Sequence, residues 1–110
     1  MITSKTNPKI KNIIKLEKAS ERREQNRILI EGRREIERAV ACGFEVDTLF
    51  VCPEIALEGA GVTARSVEEV SLEVFEKIAY REGSDGLLAV AHGILQARTL
   101  EWVAISSSNA

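Results

Sequence analysis

Cationic side chains concentrate in the first 34 residues, and their type and spacing carry the clearest chemical signal in this chain. They are Lys5, Lys9, Lys11, Lys15, Lys18, Arg22, Arg23, Arg27, Arg33 and Arg34. Against them stand four glutamates, which leaves a net charge of +6, whereas the remaining 76 residues have a net charge of −8. Guanidinium groups in particular match the geometry of phosphate oxygens. The sequence therefore predicts that a polyanion binds at the N-terminal end.

Few other residues are of a type that takes part in catalysis or in metal or cofactor binding, and they are isolated in the sequence. His92 is the single histidine and has no nearby serine or cysteine to pair with, so we do not expect it to act in catalysis. Cys42 and Cys52 form no CxxC motif, and we expect both to be reduced packing residues. The Gly-Ala-Gly segment at residues 59–61 lacks the third glycine of the Gly-x-Gly-x-x-Gly pattern that binds dinucleotides. We therefore expect no catalytic residue, no metal and no cofactor in this chain.

Length and composition are those of one ordinary domain. The chain has 110 residues, of which 45% are hydrophobic and 29% are charged. No run approaches the roughly 18 to 20 apolar residues that a membrane span needs, and the N-terminus lacks the apolar stretch of a secretory signal. We expect a cytoplasmic protein with no membrane partner.

The basic residues fall on a predicted helix over residues 7–20. Ile10, Ile13 and Ile14 recur at helical spacing and form one apolar face. A separate face is basic, because four cations follow at i, i+4, i+7 and i+11: Lys11, Lys15, Lys18 and Arg22. Asn7 or Thr6 is suited to cap this helix, and Pro8 to occupy its first turn.

Helices and short strands alternate along the rest of the chain. Buried strands are predicted over residues 28–30, 48–51 and 87–91, and a weaker one over 62–67. Helices are predicted over 33–42, with Gly43 at its C-terminal end, and over 71–79, with Ser71 at its N-cap. This order predicts a small three-layer α/β sandwich with a mostly parallel sheet.

Three blocks in the first half resemble a known family. They are Asn-Pro-Lys-Ile-Lys at residues 7–11, Glu-Arg-Arg-Glu-Gln at 21–25, and the segment from Ile28 to Ala39. Their order and spacing resemble the N-terminal substrate-binding domain of SpoU/TrmH-type RNA 2′-O-ribose methyltransferases. Ser84 and Asp85 depart from this pattern, because many members have Pro-Gln there.

The resemblance implies a fold similar to ribosomal RNA-binding proteins, which presents rRNA or tRNA to a separate catalytic domain that binds S-adenosylmethionine. It covers roughly residues 2–91, and we expect an RNA substrate-binding domain over 1–91. Residues 92–110 match neither the family's linker nor its catalytic motifs. We expect them to be an apolar tail from outside the family pattern, which packs through Leu100, Trp102 and Val103 on the sheet of the same chain or on a second copy in a homodimer. Without the catalytic domain, the isolated chain is expected to be inactive.

We interpret the chain as an RNA-recognition domain that binds structured RNA, rRNA or tRNA, by neutralising phosphates. The expected contacts are Lys9, Lys11, Lys15, Arg22, Arg23, Arg27 and Arg33. Glu31-Gly32 is either a simple strand-to-helix turn or the start of an anion site at the following helix. Two other functions stay open: a free-standing RNA-binding protein of the ribosomal kind, and a protein-interaction module without RNA affinity.

Overall fold

The computed structural model describes residues 1–56, 61–80 and 83–93, and within them the predicted alternation of helices and strands is confirmed. The helices are α1 (Pro8–Lys15), α2 (Ala19–Gln25), α3 (Arg33–Ala41) and α4 (Leu72–Ile78). The strands are β1 (Ile28–Glu31), β2 (Phe44–Val51), β3 (Ala64–Glu69) and β4 (Leu87–Gly93). None of the helices in these ranges is long and apolar enough to cross a membrane. The expected packing of the tail concerns residues outside this description.

Helix ends follow local chemistry where the sequence supplies it. The Asn7 side chain accepts a hydrogen bond from the Lys9 backbone N–H at 2.9 Å, and Pro8 occupies the first turn of α1. Ser71 caps α4 in the same manner, accepting from the Val74 N–H at 3.3 Å. After α3, Gly43 adopts φ +100°, the left-handed region that closes a helix. These three predicted boundaries are confirmed.

The predicted continuous helix over residues 7–20 is wrong, because the helix is interrupted between the end of α1 and the start of α2. Leu16 is fully buried, and its carbonyl oxygen accepts a hydrogen bond from the Arg22 guanidinium at 2.9 Å. The same nitrogen reaches the Glu17 carbonyl at 2.8 Å. In an unbroken helix these carbonyls would accept from backbone N–H groups four residues on. The Arg22 side chain thus donates the hydrogen bonds that backbone N–H groups would donate in a continuous helix. Because the helix is interrupted, Arg22 does not share one continuous helical face with Lys11 and Lys15.

The sheet is mixed, with strand order β1-β4-β2-β3. β2 and β3 are parallel, but β4 lies between β1 and β2 and runs antiparallel to both. The expected mostly parallel sheet is therefore wrong in detail. β1, β2 and β3 do run in one direction, yet the β1-α3-β2 crossover leaves a gap that the last strand fills. A run of apolar residues predicts that a strand is buried, not which strands are its neighbours.

Helices cover both faces of the sheet, so the three-layer sandwich is confirmed. On β4, Leu88 and Val90 pack with the residues of α1 and α4. The alternate residues Leu87 and Ala89 pack with α3, through Ile36. This alternation is the period of two that a strand buried on both faces requires.

A β-bulge at Asp47 adjusts the register of β2 against β4. Val46 pairs with Ala91 and Thr48 pairs with Val90, which leaves Asp47 as the extra residue. Val46 and Leu49 consequently lie in the same core although they are three residues apart. The bulge also frees the Asp47 side chain to contact polar partners at the end of the sheet.

The turn before β4 depends on a glycine. Gly86 has φ +83°, and a Cβ added there would lie 2.9 Å from the Ala56 nitrogen and 2.9 Å from the Ile55 Cβ. Its carbonyl accepts from the Cys52 N–H at 2.9 Å.

The two cysteines differ in their burial. Cys52 is buried, as predicted, whereas Cys42 is exposed at the end of α3 and is not a packing residue. Both thiols are free.

Candidate nucleic-acid interface

The outer side of α1 presents two lysines to solvent. Lys11 and Lys15 are exposed one turn apart, on the side away from the fully buried Ile10 and Ile13. Within the described ranges, no acidic side chain lies within ion-pair distance of either lysine, so both charges face outward. Lys9 is different, because its Nζ lies 3.2 Å from Glu68 Oε1 on β3.

Two arginines lie on α2, the helix that follows α1, and they have different environments. Arg23 is exposed, and no acidic group of the described chain is within ion-pair reach of it. Arg22 is half-buried and holds the start of α2 against the end of α1 through the carbonyls of Leu16 and Glu17. We refer to the surface formed by Lys11, Lys15, Arg22 and Arg23 as the α1–α2 basic surface.

Arg27 is tied to the sheet rather than standing free. Its Nε lies 2.8 Å from Asp47 Oδ2, and its Nη1 donates to the Asn26 carbonyl at 2.9 Å. The same Asp47 oxygen is 3.0 Å from His92 Nδ1, and His92 Nε2 is 3.2 Å from Glu45 Oε2. This network anchors Arg27, the residue before β1, to Asp47 of β2. No group of three or more His, Cys, Asp or Glu side chains in the described ranges is arranged to hold a metal ion.

Arg33 opens α3 on the other face of the sheet, apart from the α1–α2 basic surface. Its backbone N–H donates to Asp85 Oδ2 at 2.8 Å, so a residue distant in sequence caps this helix. Gly32, with φ +96°, has no side chain to do so. A carboxylate of the chain thus occupies the helix N-terminus, which favours the strand-to-helix turn over an anion site. Asp85 is one of the two residues that depart from the family's Pro-Gln.

One residue at the border of the α1–α2 basic surface gave no signal in the sequence. Tyr80 is 56% exposed, and its backbone N–H donates to Glu31 Oε1 at 2.7 Å. Partial burial raises the pKa of its hydroxyl to about 12, and the Glu17 carboxylate adds to the effect while Arg22 opposes it. Only the tertiary structure brings Tyr80 beside the end of α1, and no spacing in the sequence indicates that.

The comparison with known proteins now decides the family. Residues 7–89 match the MRM3-like substrate binding domain. The chain belongs to this family. The predicted resemblance to the substrate-binding domain of SpoU-type RNA 2′-O-methyltransferases is therefore confirmed. No curated protein sequence matches the chain significantly.

Solved structures agree with this membership. An RNA 2′-O ribose methyltransferase shares 38% identity and a TM-score of 0.71 over 87% of this chain and 38% of its own. An rRNA methyltransferase from Sinorhizobium meliloti shares 24% identity and a TM-score of 0.65, over 86% of this chain and 37% of its own. The SpoU methyltransferase AviRb from Streptomyces viridochromogenes, in complex with the cofactor AdoMet, shares 19% identity and a TM-score of 0.62, over 81% and 36%. The last two show the fold alone.

This MRM3-like domain thus spans less than two fifths of each of those chains. Its predicted site residues divide into three places. Lys11 and Lys15 lie on α1, Arg22 and Arg23 lie on the neighbouring α2, and Lys9 pairs with Glu68 on β3. Arg27 lies directly before β1, where its backbone N–H donates to the Arg22 carbonyl at 3.1 Å, and Arg33 lies on the other face of the sheet.

Proposed function

We propose that this MRM3-like domain binds structured RNA and is the substrate-recognition part of a 2′-O-ribose methyltransferase. Family membership and the 38% identity to an RNA 2′-O ribose methyltransferase support this assignment. The observation that carries it is the α1–α2 basic surface. Its outward cations have no acidic partner in the described chain, while the chain as a whole is slightly acidic. Such a concentration of unpaired charge suits a polyanion.

Binding would proceed by neutralisation of phosphates with release of counterions. Lys11, Lys15 and Arg23 are free to contact phosphate oxygens directly. Arg22 contributes charge while one of its nitrogens supports the end of α1. Lys9, Arg27 and Arg33 extend the proposed contacts to the periphery, where each also has a partner within the chain or lies apart from the others. These contacts set register and orientation and do not read the base sequence.

The domain's contribution to methyl transfer would be positional. Holding the ribose in place lowers the entropic part of the barrier, and S-adenosylmethionine bound elsewhere in the full-length protein supplies the methyl group. We propose rRNA or tRNA in the cytoplasm as the substrate. We also propose that residues 1–91 form the binding unit. A 110-residue polypeptide assayed with S-adenosylmethionine should then bind RNA without methylating it.

A matched pair of variants tests RNA binding. Lys11→Gln/Lys15→Gln removes two exposed cations from α1, and Arg34→Gln/Arg38→Gln removes two exposed cations from α3 on the opposite face. The first variant should weaken binding to a folded RNA and lower the slope of log K against log salt by roughly 0.7 to 0.9 per lost phosphate contact. The control should bind as wild type does. Equal losses in the two variants would show that the RNA does not dock on the α1–α2 basic surface.

Homodimerisation through the tail stays a prediction, with a separate test. Deletion of residues 95–110 keeps all of β4 and removes the apolar segment that contains Trp102. The oligomeric state of both forms is measured by sedimentation. A dimer that becomes a monomer with unchanged RNA affinity supports a tail that serves assembly alone. Loss of RNA affinity in a folded monomer contradicts it.

A further inference from the structure

Tyr80 differs in exposure from the other aromatic residues that the structure describes. Phe44, Phe50 and Phe75 are 5%, 2% and 1% exposed, and they belong to the two cores. Tyr80 is 56% exposed. An accessible ring of this kind offers a flat apolar surface with a polar edge. Its surroundings decide what that surface is suited to bind.

The main chain that carries this ring is held in place. The Tyr80 N–H donates to a carboxylate oxygen of Glu31, a residue that is itself only 8% exposed at the end of β1. The preceding Ala79 N–H donates to the Phe75 carbonyl at 2.8 Å and closes α4. The backbone of Tyr80 is thus tied to both the sheet and a helix. A ligand would not have to order this main chain in order to use the ring, which lowers the entropic cost of binding.

The ring also stands near the α1–α2 basic surface. Tyr80 follows α4, whose Phe75 and Ile78 share a core with Ile10 and Ile13 of α1. Its hydroxyl is within electrostatic reach of Glu17 and Arg22, at the junction of α1 and α2. Lys15 is the last residue of α1, and Arg23 follows Arg22 on α2. An exposed aromatic ring next to a basic surface is the arrangement that binds a base together with its phosphates.

We propose that Tyr80 stacks on an unpaired base of the bound RNA, while Lys15 and Arg23 hold the adjacent phosphates. This proposal rests on the RNA-binding function proposed above and narrows the substrate to RNA with an accessible loop or bulge. Bases inside a duplex are already stacked on their neighbours, so a protein ring reaches only nucleotides that are splayed out. Tyr80 would then make the domain prefer unpaired nucleotides, which phosphate contacts alone do not select.

The test compares a short RNA hairpin that carries 2-aminopurine in its loop with the blunt duplex of the same stem. Tyr80→Ala should weaken hairpin binding by roughly 5- to 150-fold, the range for loss of one stacked base, and leave duplex binding unchanged. Tyr80→Phe keeps the ring and should bind both RNAs as wild type does. Val67→Ala is the matched control, because Val67 is also 56% exposed but lies on β3. Since no charge is lost, the salt slope of Tyr80→Ala should equal that of wild type.

The outcomes separate the two proposals. Wild type that binds neither RNA at low salt contradicts the RNA-binding function itself. Wild type that binds both while Tyr80→Ala retains full hairpin affinity overturns the stacking role alone. The fluorescence of 2-aminopurine gives a reading on wild type that does not depend on any variant folding. It should change when wild type binds, and an unchanged signal in the bound complex also overturns stacking.

Discussion

The side-chain amides of Asn12 and Gln25 donate to each other, at 3.1 Å from Asn12 Nδ2 and at 2.9 Å from Gln25 Nε2. This reciprocal pair joins the middle of α1 to the last residue of α2. It matters because α2 buries none of its own residues. Polar contacts, rather than a hydrophobic face, therefore hold α2 and its arginines in position.

Removing either amide should loosen α2. Asn12→Ala and Gln25→Ala should each lower the free energy of unfolding by about 1 to 2 kcal/mol, since each leaves the other half-buried amide with fewer partners. The double variant should lose less than the sum, because the second change removes a group that is already unpaired. Urea denaturation of the four proteins measures this coupling. Strict additivity would show that the two amides do not stabilise one another.

Arg22 should matter for stability through its shape and for RNA through its charge. Arg22→Lys keeps the charge, but the lysine ammonium lies one bond closer to the backbone than the arginine Nη1, which reaches both carbonyls. We expect a loss of about 1 kcal/mol in unfolding free energy with an unchanged salt slope of RNA binding. Lys15→Gln is the converse control, with unchanged stability and a reduced slope. Wild-type stability in Arg22→Lys would mean that the guanidinium does not support the end of α1.

Two glycines allow backbone strain to be separated from crowding. Gly43 and Gly86 both have positive φ, but an added Cβ meets nothing within 4 Å at Gly43, whereas at Gly86 it meets Ala56 and Ile55. Gly43→Ala should cost about 1 to 3 kcal/mol for its conformation alone. Gly86→Ala should cost about 1 to 3 kcal/mol more, because atoms must also shift. Chemical denaturation of both variants gives the difference, and equal losses would show that the turn relaxes freely.

The titration of Tyr80 gives a prediction about pH. Its pKa is raised to about 12 in the folded state from an ordinary value of 10.0, first by burial and then by Glu17. Because the unfolded chain loses the proton more readily, this group favours folding fully below pH 10, and the contribution is lost as pH rises toward about 12. Tyrosinate absorbance is unambiguous, since the chain has one tyrosine. A folded-state midpoint at 10 would contradict the burial of the hydroxyl.

Local patterns located most helices and strands, and they failed where distant partners decide. The spacing of Ile10 and Ile13 places α1 correctly, because helical periodicity is a local property. The break after Lys15 has no local signal, since Leu16, Glu17 and Lys18 are all favourable helix residues. It depends on the Arg22 guanidinium and on the burial of Leu16, which only the folded chain provides.

The candidate site was likewise predicted in part. The sequence located the cations, but it did not show which of them have partners. Arg27 pairs with Asp47, the extra residue of the bulge in β2, which is distant from it in the sequence. Asp85 caps the helix of Arg33 across a separation of 52 residues. Such contacts between distant segments leave no periodic pattern, so the exposed and the engaged cations look alike in the sequence.

The position of β4 determines the order in which the sheet is able to assemble. In the described sheet β1 pairs with β4 alone, so no hydrogen-bonded neighbour for β1 exists until residues 87–93 have been synthesised. A nascent chain ending before β4 has a β2–β3 pair and a separate β1, which share no backbone hydrogen bonds. Closure over so long a separation carries an entropic cost that slows folding. We therefore expect the first half of this domain to remain unassembled on the ribosome, with its basic helices exposed before the sheet that supports them has formed.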